Sequence, residues 1–449
     1  MQERIAAWNG WVNGYVWGWP MIVLLLGTGL ILTLLTGGVQ FRYLGRAIAE
    51  VFGHIGKRDA AEGSISPFQA VATALASTVG VGNIAGVATA IALGGPGAVF
   101  WLWVSGVLGM CTKYAEIVIA LQYRERDAAG VMRGGAMYTL KKGLGLPWLG
   151  TAFAVLVAMA AFGIGNMVQA NTVAASLQSS FGVEPWVTGV VLVVMTAAVI
   201  LGGVRRIGQV AGVMVPVMAL IYVAGGLFVL VRYVGEIPSA LAQIFDGAFT
   251  GTAATGGFAG ATMMHALRYG TARGLFSNEA GLGSAPIAHA AARTDHPARQ
   301  GLYGIFEVFV DTILVCSMTG LTIVVTGVWR DGETGAVLAG QAFGAGLPGT
   351  AGHLVVTVSL CLFAYSTLVG WNYYGETGVV YLFGARTPVP YRVLWLIFIY
   401  LGAIGSLQLV WNIADTLNGL MALPNLVALL GLIPLLRRLT REFFAQRAV

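Results

Sequence analysis

Long apolar runs separated by short polar stretches make up most of this chain. Each run has about 20 residues, which is the length that an α-helix needs to cross the hydrocarbon core of a bilayer. The pattern predicts an all-α polytopic membrane protein with about eleven transmembrane helices. The predicted spans lie near 16–36, 67–94, 96–122, 148–178, 185–203, 208–231, 238–266, 300–328, 351–384, 391–409 and 411–436.

The loops between these spans divide the basic residues unevenly. If the N-terminus lies outside, nearly all Lys and Arg residues of the loops fall on the inner side, and only Arg4, Arg232 and Arg330 fall on the outer side. Cytoplasmic loops carry the excess of Lys and Arg in membrane proteins, and one missing span would exchange the sides from that point onward. The charge pattern therefore supports the segmentation and predicts a cytoplasmic C-terminus.

Four segments are predicted along the chain. Residues 1–66 hold one transmembrane helix and an amphipathic helix on the inner interface, because polar and apolar residues follow helical spacing between Phe41 and Ile65. Two blocks of five spans follow at 67–235 and 236–437, and residues 438–449 form a cytoplasmic tail. An odd number of spans in each block gives the blocks opposite orientations, which is the arrangement of inverted repeats.

The composition narrows the class of protein further. Hydrophobic residues make up 57% of the chain and charged residues only 10%, which excludes a disordered protein. The three cysteines fall inside apolar spans, so the sequence indicates neither a disulfide framework nor a metal site of the Cys type. The formal charge of +6 is spread over short loops, and it therefore reports membrane orientation and not nucleic-acid binding.

Two polar, glycine-rich interruptions occupy corresponding places at the start of the two blocks. The first is Ser77 to Asn83, and the second is Thr252 to Phe258, which contains Thr255, Gly256 and Gly257. Irregular backbone at membrane depth persists only where it is buried in protein or lines a cavity, so paired interruptions indicate a binding site near the bilayer midplane. The alternative explanation for Gly256 and Gly257 is close helix packing.

Neither interruption contains an ionisable side chain. Broken helices expose N–H groups that attract a carboxylate and carbonyl groups that attract an ammonium group or Na⁺. A substrate with a net charge would require a fixed counter-charge. The two interruptions therefore predict a small zwitterion as the substrate.

Three motifs carry a resemblance to a known family. They are ALASTVGVGNIAGVATAI at 74–91, RYGTARGLFSNEAGLGSAP at 268–286 and WNIADTLNG at 411–419. The chain resembles the alanine or glycine:cation symporter family from about residue 15 to its end. The resemblance implies a leucine-transporter-like fold of five-plus-five inverted repeats with one extra N-terminal helix. It also implies Na⁺-coupled import of small neutral amino acids across the plasma membrane of a prokaryote, the inner membrane in a Gram-negative organism.

The resemblance also implies the positions of the binding residues. The segment Val79 to Asn83 is also similar to the unwound first core helix of the neurotransmitter:sodium symporters, a more distant group that shares the fold. By that likeness a Na⁺ site would consist of the carbonyls of Ala76 and Val79 with the hydroxyls of Ser366 and Thr367. The predicted contacts of the amino acid are its carboxylate on the amides around Gly80 to Gly82, its ammonium on carbonyls of 252–257, and its side chain between two aromatic residues. The predicted substrate-binding residues are Thr78, Gly80, Gly82, Asn83, Gln169, Thr255, Gly256, Gly257, Phe258 and Trp371.

Other functions have less support in the sequence. The five histidines lack HExxH spacing and no GxSxG elbow occurs, so no enzyme is predicted. A channel would show a repeated filter loop or a charged ring, and the chain has neither. An H⁺-coupled carrier of the same fold for another small zwitterion or neutral solute remains the alternative.

Several ionisable residues fall inside predicted spans, where each needs a partner or a function. Lys113 and Glu116 are spaced to neutralise each other on one helix face, whereas Glu307 and Asp311 form a like-charge pair four residues apart. Asp415 lies near the outer end of the last span. The sequence assigns none of these five residues a function, and it places the polar stretch 268–299 on the inner side as a gate or surface helix.

Overall fold

The structure is a computed structural model that describes residues 2–53, 61–249, 263–405 and 408–445. Nearly all of this part is helical. The N-terminal segment contains α1 (Gln2–Val16), α2 (Trp19–Leu35) and α3 (Val39–Gly53). Helix α3 is amphipathic and packs on a later helix, where Tyr303 Oη donates to Glu50 O at 3.1 Å. An amphipathic helix is therefore present in this stretch, although residues 61–66 after it are not helical, and its place at the inner interface stays a prediction.

The first block begins with a helix whose start is encoded locally. Ser66 Oγ accepts from the Gln69 amide at 3.1 Å, and Gln69 Oε1 accepts from the Ser66 amide at 3.0 Å, which is a capping box. The helices of this block are α4 (Pro67–Thr78), α5 (Val87–Gly94), α6 (Gly97–Gln122), α7 (Ala136–Gly143), α8 (Pro147–Ala160), α9 (Val168–Phe181), α10 (Pro185–Ile200) and α11 (Gly203–Arg232). Two short antiparallel strands, β1 (Glu125–Arg126) and β2 (Met132–Arg133), lie between α6 and α7.

The second block follows a short 3₁₀ turn at Val234–Glu236. Its helices are α12 (Ile237–Phe249), α13 (Met263–Asn278), α14 (Pro286–Ala290), α15 (Pro297–Val308), α16 (Ser317–Thr326), α17 (Gly335–Gly346), α18 (Ala351–Phe383), α19 (Pro388–Ile404), α20 (Gln408–Leu420), α21 (Ala422–Gly431) and α22 (Ile433–Ala445). A second 3₁₀ turn covers Val328–Asp331. Three π-helical segments, Gly82–Gly86, Ala161–Met167 and Phe309–Cys316, interrupt otherwise regular helices.

The described residues include seven helical stretches long and apolar enough to cross a membrane, or eight if the bent pair Pro67–Thr78 and Gly82–Gly94 counts as one. Helices α10 and α19 are apolar but shorter. These ten elements correspond to ten of the eleven predicted spans. The remaining predicted span, 238–266, includes residues outside the described ranges. The protein is thus a helical, multi-pass membrane protein, whereas the five-plus-five arrangement stays a prediction.

The position of α13 differs from the sequence prediction for 268–299. This helix runs alongside α6 in the same direction, since a Cβ on Gly270 would overlap Ala98 and one on Gly274 would lie 3.4 Å from the Leu102 Cα. Glycines at the interface, among them Gly270, let the two backbones approach closely. The first part of the stretch 268–299 is therefore a packed helix of the core, and not a surface helix or loop.

Candidate functional site

The first interruption of a buried helix lies where the sequence predicts it. Helix α4 ends at Thr78, the chain resumes a helix at Gly82, and the two helical pieces are bent by 52°. The amide of Gly80 donates to Asn83 Oδ1 at 2.8 Å across the interruption. A Cβ on Gly80 would lie 2.7 Å from Thr367 Oγ1, so only glycine fits between the broken helix and α18.

A second interruption lies at residues 279–285, between α13 and α14. Three residues here have positive φ, namely Glu279 at 54°, Gly281 at 94° and Gly283 at 80°. Glu279 is the one non-glycine residue of the described chain with positive φ, a conformation that persists only where surrounding contacts hold it. Its carboxylate accepts from Trp371 Nε1 at 3.0 Å and from the hydroxyl of Ser284.

The predicted second interruption, Thr252 to Phe258, lies outside the described residues. The same holds for the predicted substrate contacts Thr255, Gly256, Gly257 and Phe258. Within the described chain, the end of α13 faces the first interruption instead, and Glu279 of the second interruption lines the same space. A Cβ on Gly82 would lie 3.3 Å from the Phe276 ring and 3.7 Å from the Ser277 Cα.

A small cavity of about 20 Å³ lies between the two interruptions. Its lining residues are Ser77, Thr78, Gly80, Val81, Gly82, Ile164, Gln169, Phe276, Ser277, Glu279, Thr367, Trp371 and Asn418. Five of the predicted substrate contacts, Thr78, Gly80, Gly82, Gln169 and Trp371, thus surround one space. Asn83 lies behind the wall and is completely buried.

A second cavity of about 130 Å³ lies against the first. The two cavities share Val81, Gly82, Gln169 and Phe276 as lining residues, so these four form the wall between them. Arg273 and Trp411 line only the second cavity. The Arg273 guanidinium carbon lies 5.6 Å from the centre of the Phe276 ring, which is within the range of a cation–π contact.

Gln169 and Trp371 are positioned by the π-helical segment Ala161–Met167. Gln169 Nε2 donates to Ile164 O at 2.9 Å, whereas Gln169 Oε1 is buried and accepts no hydrogen bond from the described residues. Gly165 lies so close to Trp371 that a Cβ there would overlap the indole. The π-helical geometry leaves carbonyls without their usual partners and brings the backbone against the cavity wall.

Three of the four residues of the predicted Na⁺ site, Val79, Ser366 and Thr367, lie together at the end of α4. Ser366 Oγ lies 3.4 Å from Val79 O, and Thr367 Oγ1 lies 3.5 Å from Ser77 O, one residue after the predicted Ala76. The last carbonyls of a helix lack intrahelical partners, and α4 ends at this point. Hydroxyl and carbonyl oxygens are hard, uncharged ligands, so the donor set fits a monovalent cation such as Na⁺.

The buried charged residues pair differently from the sequence prediction. Lys113 Nζ lies 3.4 Å from Glu307 Oε1 on α15, and His289 Nε2 lies 2.9 Å from Glu307 Oε2. Glu116 Oε1 instead accepts from Asn425 Nδ2 at 2.6 Å and from the amides of the second interruption. The expected pair of Lys113 with Glu116 is therefore wrong, because the contact between α6 and α15 brings a closer carboxylate to the lysine.

The like-charge pair on α15 is also separated. Asp311 lies in the π-helical segment Phe309–Cys316, and its carboxylate accepts from Asn83 Nδ2 at 2.6 Å, Thr312 Oγ1 at 2.8 Å and Ser277 Oγ at 3.1 Å. It therefore faces the first interruption, while Glu307 faces Lys113. Asp415 accepts from Asn13 Nδ2 at 2.9 Å, at the contact between α1 and α20.

Phe276, Ser277, Glu279 and Asn418 line the cavity, and the sequence did not predict them as contacts. All four lie in the motifs 268–286 and 411–419 that carry the family resemblance. Phe276, Ser277 and Glu279 lie within 268–299, which the sequence prediction placed on the inner side and therefore away from a site at the bilayer midplane. The signal that could have identified them is the spacing of Glu279, Gly281 and Gly283, since glycines flanking a carboxylate in a buried, otherwise uncharged stretch indicate irregular backbone.

Comparisons with known proteins agree with this architecture. A family model described as the sodium:alanine symporter family matches residues 2–449. The sodium/alanine symporter AgcS of Methanococcus maripaludis is 52% identical over 93% of this chain and 93% of its own length. An uncharacterized transporter of Haemophilus influenzae is 47% identical over 96% of this chain and 95% of its own length. The probable sodium/glutamine symporter GlnT of Bacillus subtilis is 36% identical over 96% of this chain and 88% of its own length.

Both the family model and the relatives extend over nearly the whole chain, and they therefore include both interruptions and the cavity between them. This protein belongs to the sodium:alanine symporter family.

Proposed function

We propose that this protein imports alanine and glycine together with Na⁺ by alternating access between the two sides of the membrane. The observation that carries the proposal is the cavity between two interrupted, buried stretches of backbone. One wall offers amides without a charged side chain, and the opposite wall offers the carboxylate of Glu279. A small zwitterion complements these two walls.

The carboxylate of the amino acid would bind at the first interruption. The first turn of a helix leaves its N–H groups without intrahelical partners, and the positive end of the helix dipole favours an anion there. The helix resumes at Gly82, so the amides of Val81 and Gly82 belong to this first turn. The hydroxyl of Thr78 lines the same cavity.

The ammonium group would bind at the opposite wall. Glu279 supplies a carboxylate there, and Gln169 Oε1 is a buried acceptor that receives no hydrogen bond within the described structure. The sequence predicted carbonyls of 252–257 for this contact, and those residues lie outside the described ranges. Phe276 and Trp371 bound the remaining space, which suits a hydrogen or methyl side chain better than a branched one.

Na⁺ would bind between α4 and α18, on the carbonyls of Ala76 and Val79 and the hydroxyls of Ser366 and Thr367. Such an ion would hold the end of α4 against α18 and thereby fix the interruption in the form that binds the amino acid. Binding of Na⁺ and of alanine would then favour each other by linkage. Movement of Phe276 would join the two cavities and open one route to the substrate.

The test is uptake of radiolabelled alanine and glycine by the purified protein in proteoliposomes with an imposed Na⁺ gradient. We expect uptake that requires Na⁺ and that excess unlabelled alanine inhibits. Lack of uptake of either amino acid would contradict the proposed substrate, and uptake that persists without Na⁺ would contradict the proposed ion.

The Na⁺ site has its own variant and control. Thr367→Ala should raise the Na⁺ concentration for half-maximal uptake by about tenfold, the change expected when one polar ligand worth roughly 1.4 kcal/mol is lost. Ser359→Ala, on the same helix, removes a buried hydroxyl that has no hydrogen-bond partner in the described structure, and it should leave the Na⁺ dependence unchanged. An equal response of the two variants would remove Thr367 from the ligand set.

A proton-coupled carrier for another small zwitterion or neutral solute remains the second candidate. The observation that favours it is the group of carboxylates buried beside the cavity, among which Glu279 and Asp311 have no ion-pair partner among the described residues. Under this alternative, alanine uptake would follow an imposed pH gradient in the absence of Na⁺. The same proteoliposomes distinguish the two candidates when the gradients are imposed separately.

A further inference from the structure

The buried charges near the cavity do not balance within the described part of the chain. Four carboxylates lie in this region with 3% or less of their surface exposed, and they belong to Glu116, Glu279, Glu307 and Asp311. Lys113 is the buried ammonium group on the neighbouring helix α6, and it pairs with Glu307. An unpaired charge is costly at membrane depth, so the remaining carboxylates require protons, cations or dense hydrogen bonding.

Asp311 is completely buried and has only neutral hydrogen-bond donors around its carboxylate. Its side chain is 0% exposed, and no ion pair among the described residues includes it. The three groups that donate to its carboxylate, from Asn83, Ser277 and Thr312, are all neutral. The negative charge is thus solvated by the protein but not neutralised.

The surroundings of Asp311 contain the ligands that an alkali cation prefers. The two carboxylate oxygens lie beside the hydroxyl oxygens of Ser277 and Thr312, at 3.1 Å and 2.8 Å from Oδ2. Both hydroxyls can turn their lone pairs toward an ion. The described residues contain no cluster of three or more His, Cys, Asp or Glu, so the donor set does not suit a transition metal.

Asp311 is also linked through Asn83 to the amide of Gly80, which is next to the amides proposed to bind the substrate. Asn83 Nδ2 donates to the Asp311 carboxylate at 2.6 Å, while Asn83 Oδ1 accepts from the Gly80 amide at 2.8 Å. The same carboxylate contacts Ser277, which lines the cavity beside the second interruption. Asp311 therefore contacts Asn83 at the first interruption and Ser277 at the end of α13, just before the second interruption.

We propose that Asp311, with the hydroxyls of Ser277 and Thr312, binds a second Na⁺ that is separate from the ion proposed at Ser366 and Thr367. This inference rests on the proposed function, since it adds an ion to the same transport cycle. A cation at Asp311 competes with the Asn83 amide for the carboxylate. When that amide turns, it offers Oδ1 to the ion and releases the Gly80 N–H, which then donates to the carboxylate of the incoming amino acid.

The coupling that follows is reciprocal. Na⁺ at Asp311 raises the affinity for alanine because it frees an amide and neutralises a nearby negative charge. Alanine in turn raises the affinity for Na⁺ by the same factor. The first interruption is therefore contacted by two proposed Na⁺ sites. One is the uncharged site between α4 and α18, and the other is the charged site at Asp311.

The experiment measures alanine uptake and radioactive sodium uptake together, as the purified protein in proteoliposomes is titrated with Na⁺. We expect a sigmoidal Na⁺ dependence in the wild type. In Asp311→Asn the dependence should become hyperbolic, the ratio of Na⁺ to alanine should fall by about one ion, and the Na⁺ concentration for half-maximal uptake should rise at least about tenfold. An unchanged ratio in a folded, active Asp311→Asn protein would overturn the second ion.

A milder pair of variants protects the test against misfolding. Thr312→Val removes a hydroxyl that donates to Asp311, whereas Thr322→Val removes a buried hydroxyl that has no hydrogen-bond partner in the described structure. Only the first should weaken the Na⁺ dependence, by several fold. Equal Na⁺ dependence in the two variants would contradict the site even if Asp311→Asn cannot be purified.

Three further outcomes separate the causes of failure. If alanine uptake by the wild type acidifies the vesicle interior and Asp311→Asn abolishes only that proton flux, Asp311 carries a proton and the Na⁺ assignment is wrong. If the wild type shows no Na⁺-dependent alanine uptake at all, the proposed function itself fails. A hyperbolic Na⁺ dependence in an active wild type contradicts the second ion and leaves the proposed function intact.

Discussion

Trp371 is positioned in the cavity wall by the backbone of Gly165 and by a hydrogen bond to Glu279. A Cβ on Gly165 would overlap its indole, and its Nε1 donates to Glu279 at 3.0 Å. Because the indole is completely buried, it has little room to move away from a new atom. The absence of a side chain at residue 165 therefore sets the position of Trp371 and, through it, the orientation of Glu279.

Gly165→Ala should lower alanine uptake by about tenfold or more, since an overpacked wall costs roughly 1–3 kcal/mol and displaces the group opposite the amides. The measurement is the initial rate of uptake, normalised to the amount of purified protein. Gly27→Ala is the control, because a Cβ there meets no atom within 4 Å. Comparable uptake by the two variants would show that Gly165 does not position the wall.

At the scale of elements, the second interruption depends on a helix far from it in sequence. Glu116 on α6 accepts from the amides of Gly281 and Gly283, at 3.1 Å and 3.0 Å, and thereby replaces the hydrogen bonds that a continuous helix would supply. The first interruption has a local counterpart, since Asn83 accepts from Gly80 three residues away. The two interruptions are thus stabilised by different means.

Glu116→Ala should lower the apparent melting temperature of the purified protein, because two buried amides would lose their acceptor at a cost of roughly 3 kcal/mol in the free energy of unfolding. Glu116→Gln keeps an acceptor oxygen and should lie between Ala and the wild type. Glu62→Ala is a matched control, since Glu62 is exposed and its ion pair with Arg126 contributes little. A melting temperature of Glu116→Ala equal to that of Glu62→Ala would contradict this function of Glu116.

The difference between the interruptions explains how far the sequence could predict the site. Residues 77–83 combine glycines, hydroxyls and an amide inside an apolar run, so their own composition indicates the break. Residues 279–285 are held in their irregular form by contacts that include Glu116 and Trp371, which are distant in the chain. Pairing of Lys113 with Glu307, and not with Glu116, is likewise decided by helix contacts that no local spacing reveals.

At the scale of the whole molecule, the lengths of the hydrophobic runs predicted the spans well. The thickness of the bilayer sets the number of residues that a helix needs to cross it, whatever the contacts of that helix. Ten of the eleven predicted spans correspond to apolar helical elements of the described residues. Run length fails where a helix lies in the core but carries polar residues, as α13 does with Arg268, Arg273 and Ser277. The surface helix expected for 268–278 was wrong for that reason, and the side of the membrane on which this stretch lies stays a prediction.

The orientation of the molecule in the membrane remains a prediction from its charges. An N-terminus outside and a C-terminus in the cytoplasm place Arg330 and its neighbours outside, and place Arg386 inside. Asp331 and Arg386 are both exposed and lie in short connections on either side of α17 and α18, so one cysteine at each position tests the orientation. The native cysteines should first be replaced by alanine, since Cys361 is only partly buried.

A membrane-impermeant maleimide added to intact cells should label Asp331→Cys and should label Arg386→Cys only after the cells are permeabilised. The two positions are separated by an odd number of predicted spans, so they must lie on opposite sides if α18 crosses the bilayer once. Labelling in the reverse order would invert the predicted orientation and keep the span. Labelling of both positions in intact cells would mean that α18 does not separate them, and the segmentation of the second block would then have to be revised.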